Sequence, residues 1–369
     1  LDDSGDVTVT GTFSGVTVAH TVQDGADTTT GSASIAGMDI TLSNDAGSTS
    51  WTIGTTVAGT AVTVGSDKSV SATFGVTGNT VVVKPSEITP LSIIRWLEVA
   101  CDHLPKGILN MITGFGDVGA SLVEHPDTRV IAFTGSVETG KKIAMMAASQ
   151  LKKTSLELGG NDPIIICDDV DIQIAARGTA WGGLLNGGQV CTSLERVFVM
   201  ETIANDFIEA VVEEAKKVRL GNPMDGQTDM GPLVSRMQLE KTEGKVSRAK
   251  LEGARLLCGG DRPSEFEKGY FYNPTVFDQI TSEMEMMNVE TFGPIIPIQK
   301  VKNLREAIEL ANNSQYGLGC SIYTNDLEKA MTAAHDIKAG SFWINDPLTD
   351  NEAAPFGGMK MSGGGRELG

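Results

Sequence analysis

The stretch that decides the fold is Thr80-Val81-Val82-Val83-Lys84-Pro85, an unbroken run of β-branched apolar residues closed by proline. Such a run is typical of a strand buried on both faces of a parallel sheet. Outward from it, apolar spacing and short apolar runs predict helices at 91–104, 137–151, 205–218 and 304–311, and strands at 108–112, 129–133 and 164–167. This alternation predicts an α/β fold with a mainly parallel sheet.

The composition changes abruptly near residue 77. Residues 1–77 are rich in Thr, Ser and Gly and contain no Pro, Cys, Glu or Arg, whereas residues 78–369 contain every Pro and every Cys. Short apolar alternations between Gly, Asp and Ser clusters predict that 1–77 is a small all-β segment, with low-complexity disorder as the alternative. In composition alone, this segment is similar to modules of secreted or cell-surface proteins.

The charge and the cysteines exclude several classes of protein. The 369 residues include 29 Lys and Arg against 47 Asp and Glu, a net charge of -18, which disfavours nucleic acid as a partner. No apolar run approaches the roughly 18 residues that a membrane span needs. Five Cys and four His are scattered along the chain, which disfavours a metal site and a disulfide framework.

Two glycine-containing turns follow predicted strands and precede predicted helices. Gly114-Phe115-Gly116-Asp117-Val118-Gly119 has the GxGxxG spacing of a dinucleotide-binding turn, although a merely tight turn explains it equally well. In Phe133-Thr134-Gly135-Ser136, Gly135 would allow close backbone approach and Ser136 is a suitable helix N-cap. The free N–H groups at such a helix start can bind a pyrophosphate, but an ordinary capped helix also fits this spacing.

The segment Asn186-Gly187-Gly188-Gln189-Val190-Cys191 is the most informative for chemistry. A Cys in a polar, glycine-flanked turn is accessible in a way that a core Cys such as Cys167 is not. A nucleophilic Cys usually needs a base, and no His is near it in sequence. Glu157, between apolar residues in Leu156-Glu157-Leu158-Gly159-Gly160, could supply one, because such surroundings raise the pKa of a carboxyl group.

Six motifs, in this order, resemble the aldehyde dehydrogenase superfamily from about residue 78 to residue 369. They are Gly78-Asn79-Thr80-Val81-Val82-Val83-Lys84-Pro85-Ser86-Glu87, Phe133-Thr134-Gly135-Ser136, Leu156-Glu157-Leu158-Gly159-Gly160, Gly188-Gln189-Val190-Cys191, Glu290-Thr291-Phe292-Gly293-Pro294 and Pro355-Phe356-Gly357-Gly358. The resemblance implies a partial Rossmann-like parallel sheet with a catalytic α/β domain, preceded by the all-β segment. It implies oxidation of an aldehyde to a carboxylic acid with NAD.

The resemblance also implies roles for individual residues. Cys191 resembles the nucleophile that forms a thiohemiacetal and then a thioester, and its backbone N–H resembles one oxyanion donor. Glu157 resembles the base that activates the hydrolytic water. The remaining matches resemble cofactor-binding residues: Lys84 and Glu87 for the adenosine ribose, Gly135 and Ser136 for the pyrophosphate, and Glu290 and Phe292 for the nicotinamide ribose and ring. Since Glu87 would repel a 2′-phosphate, NAD is favoured over NADP.

The departures from the family concern both ends of the sequence. Nothing in 1–77 resembles the family's early strands or its Pro-Trp-Asn motif, whose Asn is the second oxyanion donor, and the family usually continues beyond the last residues here. The expected divisions are 1–77, a partial NAD-binding domain at 78–159, a catalytic domain at 160–346 and a return segment at 347–369.

The expected partners and location complete the interpretation. They are a small aldehyde, a homo-oligomer if the family interface is retained, and a cytoplasmic location. The identity of the aldehyde does not follow from the sequence. The alternative function is a surface or adhesion-type β module at 1–77 joined to an inert dehydrogenase remnant.

Overall fold

The computed structural model describes residues 80–349, 351 and 353–368, together with the backbone of seven strands between residues 7 and 74. These strands form one sheet in sequence order with antiparallel neighbours. They are β1 Val7–Phe13, β2 Val16–Gln23, β3 Ala26–Ile35, β4 Met38–Asp45, β5 Ser48–Val57, β6 Thr60–Gly65 and β7 Val70–Phe74. The rest of the predicted segment 1–77 lies outside the described residues, and its role stays a prediction.

Two compact units divide the chain, one of residues 1–83 and 91–112 and the other of residues 84–90 and 113–369. The predicted boundaries at 159 and 346 therefore stay predictions. In the first unit, β8 (Val81–Val83), α1 (Leu91–Cys101) and β9 (Leu109–Met111) follow the seven-stranded sheet along the chain. β8 and β9 pair in parallel, as the sequence predicts.

The burial predicted for the Val81–Val83 strand is wrong. Val81 is 49% exposed and Val82 is 48% exposed. Among the described strands, Val81–Val83 pairs with β9 alone, and this two-stranded ribbon leaves Val81 and Val82 accessible. A continuous apolar run indicates a buried strand only where neighbouring elements pack on it.

The second unit begins with a small sheet. Its elements are α2 Gly116–Glu124, β10 Val130–Thr134, α3 Val137–Ala148 and β11 Lys153–Glu157. β10 and β11 pair in parallel, and residues Gly363–Gly364 add an antiparallel strand beside β11. The predicted helix at 137–151 is confirmed as α3 and ends three residues earlier than predicted, at Ala148.

A seven-stranded sheet forms the rest of the second unit. Its strands are β12 Asp162–Ile166, β13 Leu194–Met200, β14 Arg255–Cys258, β15 Thr275–Asp278, β16 Ile295–Val301, β17 Gly319–Tyr323 and β18 Ser341–Ile344. The helices are α4 Ile172–Leu184, α5 Ala204–Lys217, α6 Arg236–Glu252, α7 Leu304–Asn312 and α8 Leu327–Asp336. The spatial order is β14-β15-β16-β13-β12-β17-β18, parallel except for β14, which confirms the α/β prediction.

Helices cover both faces of this sheet. Ile164 and Ile166 point into a core with α4 and α5, whereas Ile165 points into a core with α6, α7 and α8. The three isoleucines are fully buried, which confirms the strand predicted at 164–167. None of the described helices is long and apolar enough to cross a membrane.

Candidate active site

The turn that leads to Cys191 is built from backbone conformations that glycine favours. After α4, Asn186 and Gly187 take φ values of 53° and 68°. Gly188 has a φ of +71°, and a Cβ there would lie 2.1 Å from the carbonyl oxygen of Gly293. Only glycine fits such a close approach. The turn places Cys191 just before β13 with its side chain half-buried.

Two glycines at the end of β11 bring three segments together. A Cβ on Gly160 would lie 2.2 Å from the carbonyl oxygen of Cys191, and a Cβ on Gly159 would lie 2.3 Å from Oε2 of Glu290. The backbone N–H of Gly160 donates to Oε1 of Glu290 at 3.0 Å. The Cys191 turn and the Glu290 loop therefore meet at the strand end that carries Glu157.

Glu157 is a buried carboxylate. It is 4% exposed, and neither carboxylate oxygen has a hydrogen-bond partner among the described residues. Its Oε1 lies beside Gly357, where a Cβ would come within 2.9 Å. Burial, and next the charge of Glu367, raise the pKa of Glu157 to about 7, while Arg366 opposes the shift. A carboxyl group with this pKa can accept a proton at neutral pH.

The thiol of Cys191 is held in its protonated form. Burial, and next the negative charge of Asp162, raise the pKa of Cys191 to about 11. Asp162 is fully buried, one of its oxygens has no hydrogen-bond partner among the described residues, and burial raises its own pKa to about 7. A raised pKa favours the protonated thiol at pH 7.

The two turns that the sequence singles out take different positions. Ser136 caps α3, with its Oγ accepting from the N–H of Thr139 at 3.2 Å. The N–H of Gly135 donates to the carbonyl oxygen of Glu157 at 3.0 Å, so this helix start adjoins the end of β11. Both Gly135 and Ser136 are exposed, which leaves the first N–H groups of the helix accessible to an anion.

Lys84 and Glu87 lie beside the other turn. Their side chains pair at 3.6 Å, and Nζ of Lys84 donates to the carbonyl oxygen of Gly114 at 2.8 Å. Glu87 is exposed, so its carboxylate is available to hydroxyl groups. The GxGxxG turn therefore positions Lys84.

Glu195 and Asn161 are two residues that the sequence interpretation missed. The carboxylate of Glu195, on β13, accepts from the N–H groups of Thr291 and Phe292 at 2.7 and 2.6 Å. Asn161 Nδ2 donates to the same carboxylate at 2.9 Å. The available signal in the sequence was an ionisable residue directly before Arg196 and the apolar residues 197–200 of β13, since such residues are almost never buried without a partner.

The contacts join most, but not all, of the predicted site residues. The backbone N–H of Gly135 bonds to the backbone of Glu157, and Gly160 contacts the backbone of Cys191 and donates to the side-chain carboxylate of Glu290. No hydrogen bond among the described residues joins the side chains of Cys191 and Glu157. Since Glu157 is three residues before Gly160, at most about 11 Å of chain separates it from the residue that touches Cys191.

Comparison with known proteins identifies the class. Residues 69–369 match the aldehyde dehydrogenase family. The betaine aldehyde dehydrogenase of Mesorhizobium japonicum is 43% identical over 293 residues, covering 79% of this chain and 60% of that one. The chloroplastic betaine aldehyde dehydrogenase of Atriplex hortensis is 41% identical over 295 residues, covering 79% of this chain and 59% of that one.

Solved structures agree with this match. The betaine aldehyde dehydrogenase of Staphylococcus aureus in complex with NAD+ superposes with a TM-score of 0.77 at 41% identity, covering 79% of this chain and 59% of that one. An NAD-dependent aldehyde dehydrogenase from Sinorhizobium meliloti gives 0.78 at 39% identity, covering 80% and 59%. The chain belongs to the aldehyde dehydrogenase family, and it spans about three fifths of the length of the relatives it matches.

Proposed function

We propose that this protein oxidises an aldehyde to a carboxylic acid with NAD through a covalent intermediate on Cys191. One observation carries the proposal: Gly160, three residues after Glu157, contacts the backbone of Cys191, so a half-buried thiol and a buried carboxylate belong to adjoining segments. A nucleophile and a base with a pKa near 7 are what acyl transfer followed by hydrolysis requires.

The proposed reaction assigns the two catalytic steps to these residues. The thiol of Cys191 loses its proton to water as its sulfur adds to the aldehyde carbonyl carbon, and the backbone N–H of Cys191 donates to the developing oxyanion of the thiohemiacetal. Bound NAD would supply the acceptor for the hydride of this carbon, and Cys191 would then hold the acyl group as a thioester. Glu157 then accepts a proton from a water molecule, which attacks the thioester, releases the acid and restores the thiol.

The residues present fit NAD. The start of α3, just after Gly135 and Ser136, would present the first N–H groups of the helix to a pyrophosphate, apart from that of Thr139, which Ser136 caps. Lys84 and the exposed Glu87 would hold the adenosine ribose hydroxyls, and a carboxylate at this place disfavours a 2′-phosphate. Glu290 and Phe292, on the loop that contacts Gly159 and Gly160, would hold the nicotinamide ribose and ring.

The finer features are part of the same proposal. The substrate class is a small aldehyde, and betaine aldehyde belongs in the assay because several relatives are named for it. A cytoplasmic location and a homo-oligomer follow the family expectation. The alternative of a surface module at 1–77 concerns side chains outside the described residues, and no comparison supports it.

NADH formation tests the proposal directly. The full chain is mixed with NAD and a panel of aliphatic, aromatic and betaine aldehydes, and absorbance is followed for the wild type, Cys191→Ala and the exposed-thiol control Cys101→Ala. We expect turnover in the wild type and the control, and a loss of at least about 10⁴-fold in Cys191→Ala. Equal turnover in all three proteins, or none in the wild type, would refute the proposal.

A further inference from the structure

Glu195 has no place in the proposed reaction, yet its carboxylate is almost completely enclosed. The side chain is 2% exposed, and every oxygen faces a donor. Oε1 accepts from the N–H of Phe292, while Oε2 accepts from the N–H of Thr291 and from Nδ2 of Asn161. Three donors on two oxygens fit the ionised form, because a carboxylic acid would turn a proton toward a donor.

The loop whose N–H groups donate two of these bonds has an unfavourable backbone conformation. Phe292 has a φ of +51°, a left-handed conformation that is unfavourable for a residue with a side chain. The neighbouring N–H groups of Thr291 and Phe292 both point at the Glu195 carboxylate. The carbonyl oxygen of Phe292 accepts from Nε2 of Gln238 at 2.7 Å. Since local sequence does not favour this turn, bonds from outside the loop must hold it.

The same loop carries Glu290, whose carboxylate accepts from the N–H of Gly160. Stability alone is a poor explanation for Glu195. Burying a carboxylate costs several kcal/mol, and Glu290 adds a second negative charge nearby. Burial, and next the charge of Glu290, raise the pKa of Glu195 above its ordinary value, while the bonds from Thr291, Asn161 and Phe292 favour the ionised form. A neutral residue would avoid this cost but would not hold two N–H groups together.

We propose that Glu195 is a positioning residue that holds the Glu290–Phe292 loop, and through it the Glu290 carboxylate, in the conformation that binds the nicotinamide half of NAD. This inference rests on the proposed function. Glu195 acts through two backbone N–H groups and does not itself contact the cofactor.

The test uses Glu195→Gln, which keeps the shape but turns one oxygen into an NH₂ group that must face a donor. Loss of a hydrogen bond to a charged group costs about 1.5–3 kcal/mol, so we expect the NAD dissociation constant to rise about 10-fold or more, with kcat falling as well. The control is Asp278→Asn, another 2% exposed carboxylate, which pairs with Arg255. We expect Asp278→Asn to change the NAD dissociation constant and kcat by less than about twofold.

Two further measurements separate positioning from general structural damage. Amide hydrogen exchange of a peptide covering 290–293, without NAD, should be at least about 10-fold faster in Glu195→Gln. A double-mutant cycle with Glu290→Gln should show that Glu195→Gln adds little once Glu290 is removed. If Glu195→Gln does not fold, Glu195→Asp, which keeps the charge with a shorter reach, is measured in the same way.

Failure of the Glu195 inference can be distinguished from failure of the proposed function. A wild type without turnover would refute the proposed function, and the exchange measurement would still decide whether Glu195 holds the loop. A wild type that binds NAD, together with unchanged exchange and affinity in Glu195→Gln, would overturn the inference alone. Fully additive effects in the double-mutant cycle would also overturn it.

Discussion

Two strands of this protein, Val81–Val83 and Ile164–Ile166, have similar sequences but differ in how deeply they are buried. Both are runs of three β-branched apolar residues that form parallel strands. The isoleucines are completely buried between two helical layers, whereas Val81 and Val82 are about half exposed. The difference shows that the run specifies a strand, while burial depends on the elements that cover it. The chemistry of the proposed site depends on the covered sheet.

The largest expected effect is loss of stability from a change in the covered strand. Ile165→Ala removes fully buried methyl groups and should lower the free energy of unfolding by about 2–5 kcal/mol. The matched control is Ile88→Ala, the same truncation at a position that is 49% exposed, which should cost less than about 1 kcal/mol. Both are measured by urea unfolding of the full chain. Equal losses would contradict the burial assigned to β12.

Burial near the covered sheet should also slow the reaction of Cys191 with iodoacetamide. Because the pKa of Cys191 is raised to about 11, its alkylation rate without NAD should rise about 100-fold from pH 7 to pH 9. The exposed Cys101 is the reference thiol in the same protein. Rates are measured by mass spectrometry of the two peptides. A rate at Cys191 that levels off below pH 9 would refute the raised pKa.

A smaller effect is expected from the pH dependence of thioester hydrolysis. Burial raises the pKa of Glu157 to about 7, so the carboxylate loses its ability to accept a proton as the pH falls below this value. The hydrolysis rate of the acylated protein should therefore rise about 10-fold from pH 6 to pH 8 and then level off. Stopped-flow measurement with Glu157→Gln as the control tests this expectation. The same profile in both proteins would exclude Glu157 as the base.

The smallest effect belongs to the uncovered strand. Val82→Thr keeps the β-branched shape and places a hydroxyl at a position that is 48% exposed. It should change the free energy of unfolding by no more than about 0.5 kcal/mol. The midpoint of urea unfolding is the readout. A loss of several kcal/mol would show that this strand is covered in solution, and the comparison between the two strands would fail.

Much of the fold follows from the local sequence pattern. The amphipathic helix at 204–217 and the apolar strand at 164–166 were predictable because a single face or run carries the signal. The exposure of Val81 was not predictable, because it depends on whether elements far away in sequence pack on the strand. The order of the seven-stranded sheet was also not predictable, because strand pairing joins residues far apart in sequence.

The candidate site was predictable where a motif carries it. Cys191, Glu157 and Glu290 were found from short motifs, and their roles stay predictions. Asp162 and Glu195 were missed because their importance comes from three-dimensional neighbours: Asp162 acts on the thiol, and Glu195 bonds to residues almost a hundred positions away. No local pattern contains such a contact.

Trapping the acylated protein tests the central claim most directly. Glu157→Gln is incubated with NAD and an aldehyde that the wild type oxidises, and its peptides are analysed by mass spectrometry. Since the Gln side chain cannot act as the base, we expect an acyl group to accumulate on the peptide containing Cys191, and none to form in Cys191→Ala. An unmodified Cys191, or an acyl group on another residue, would contradict the account.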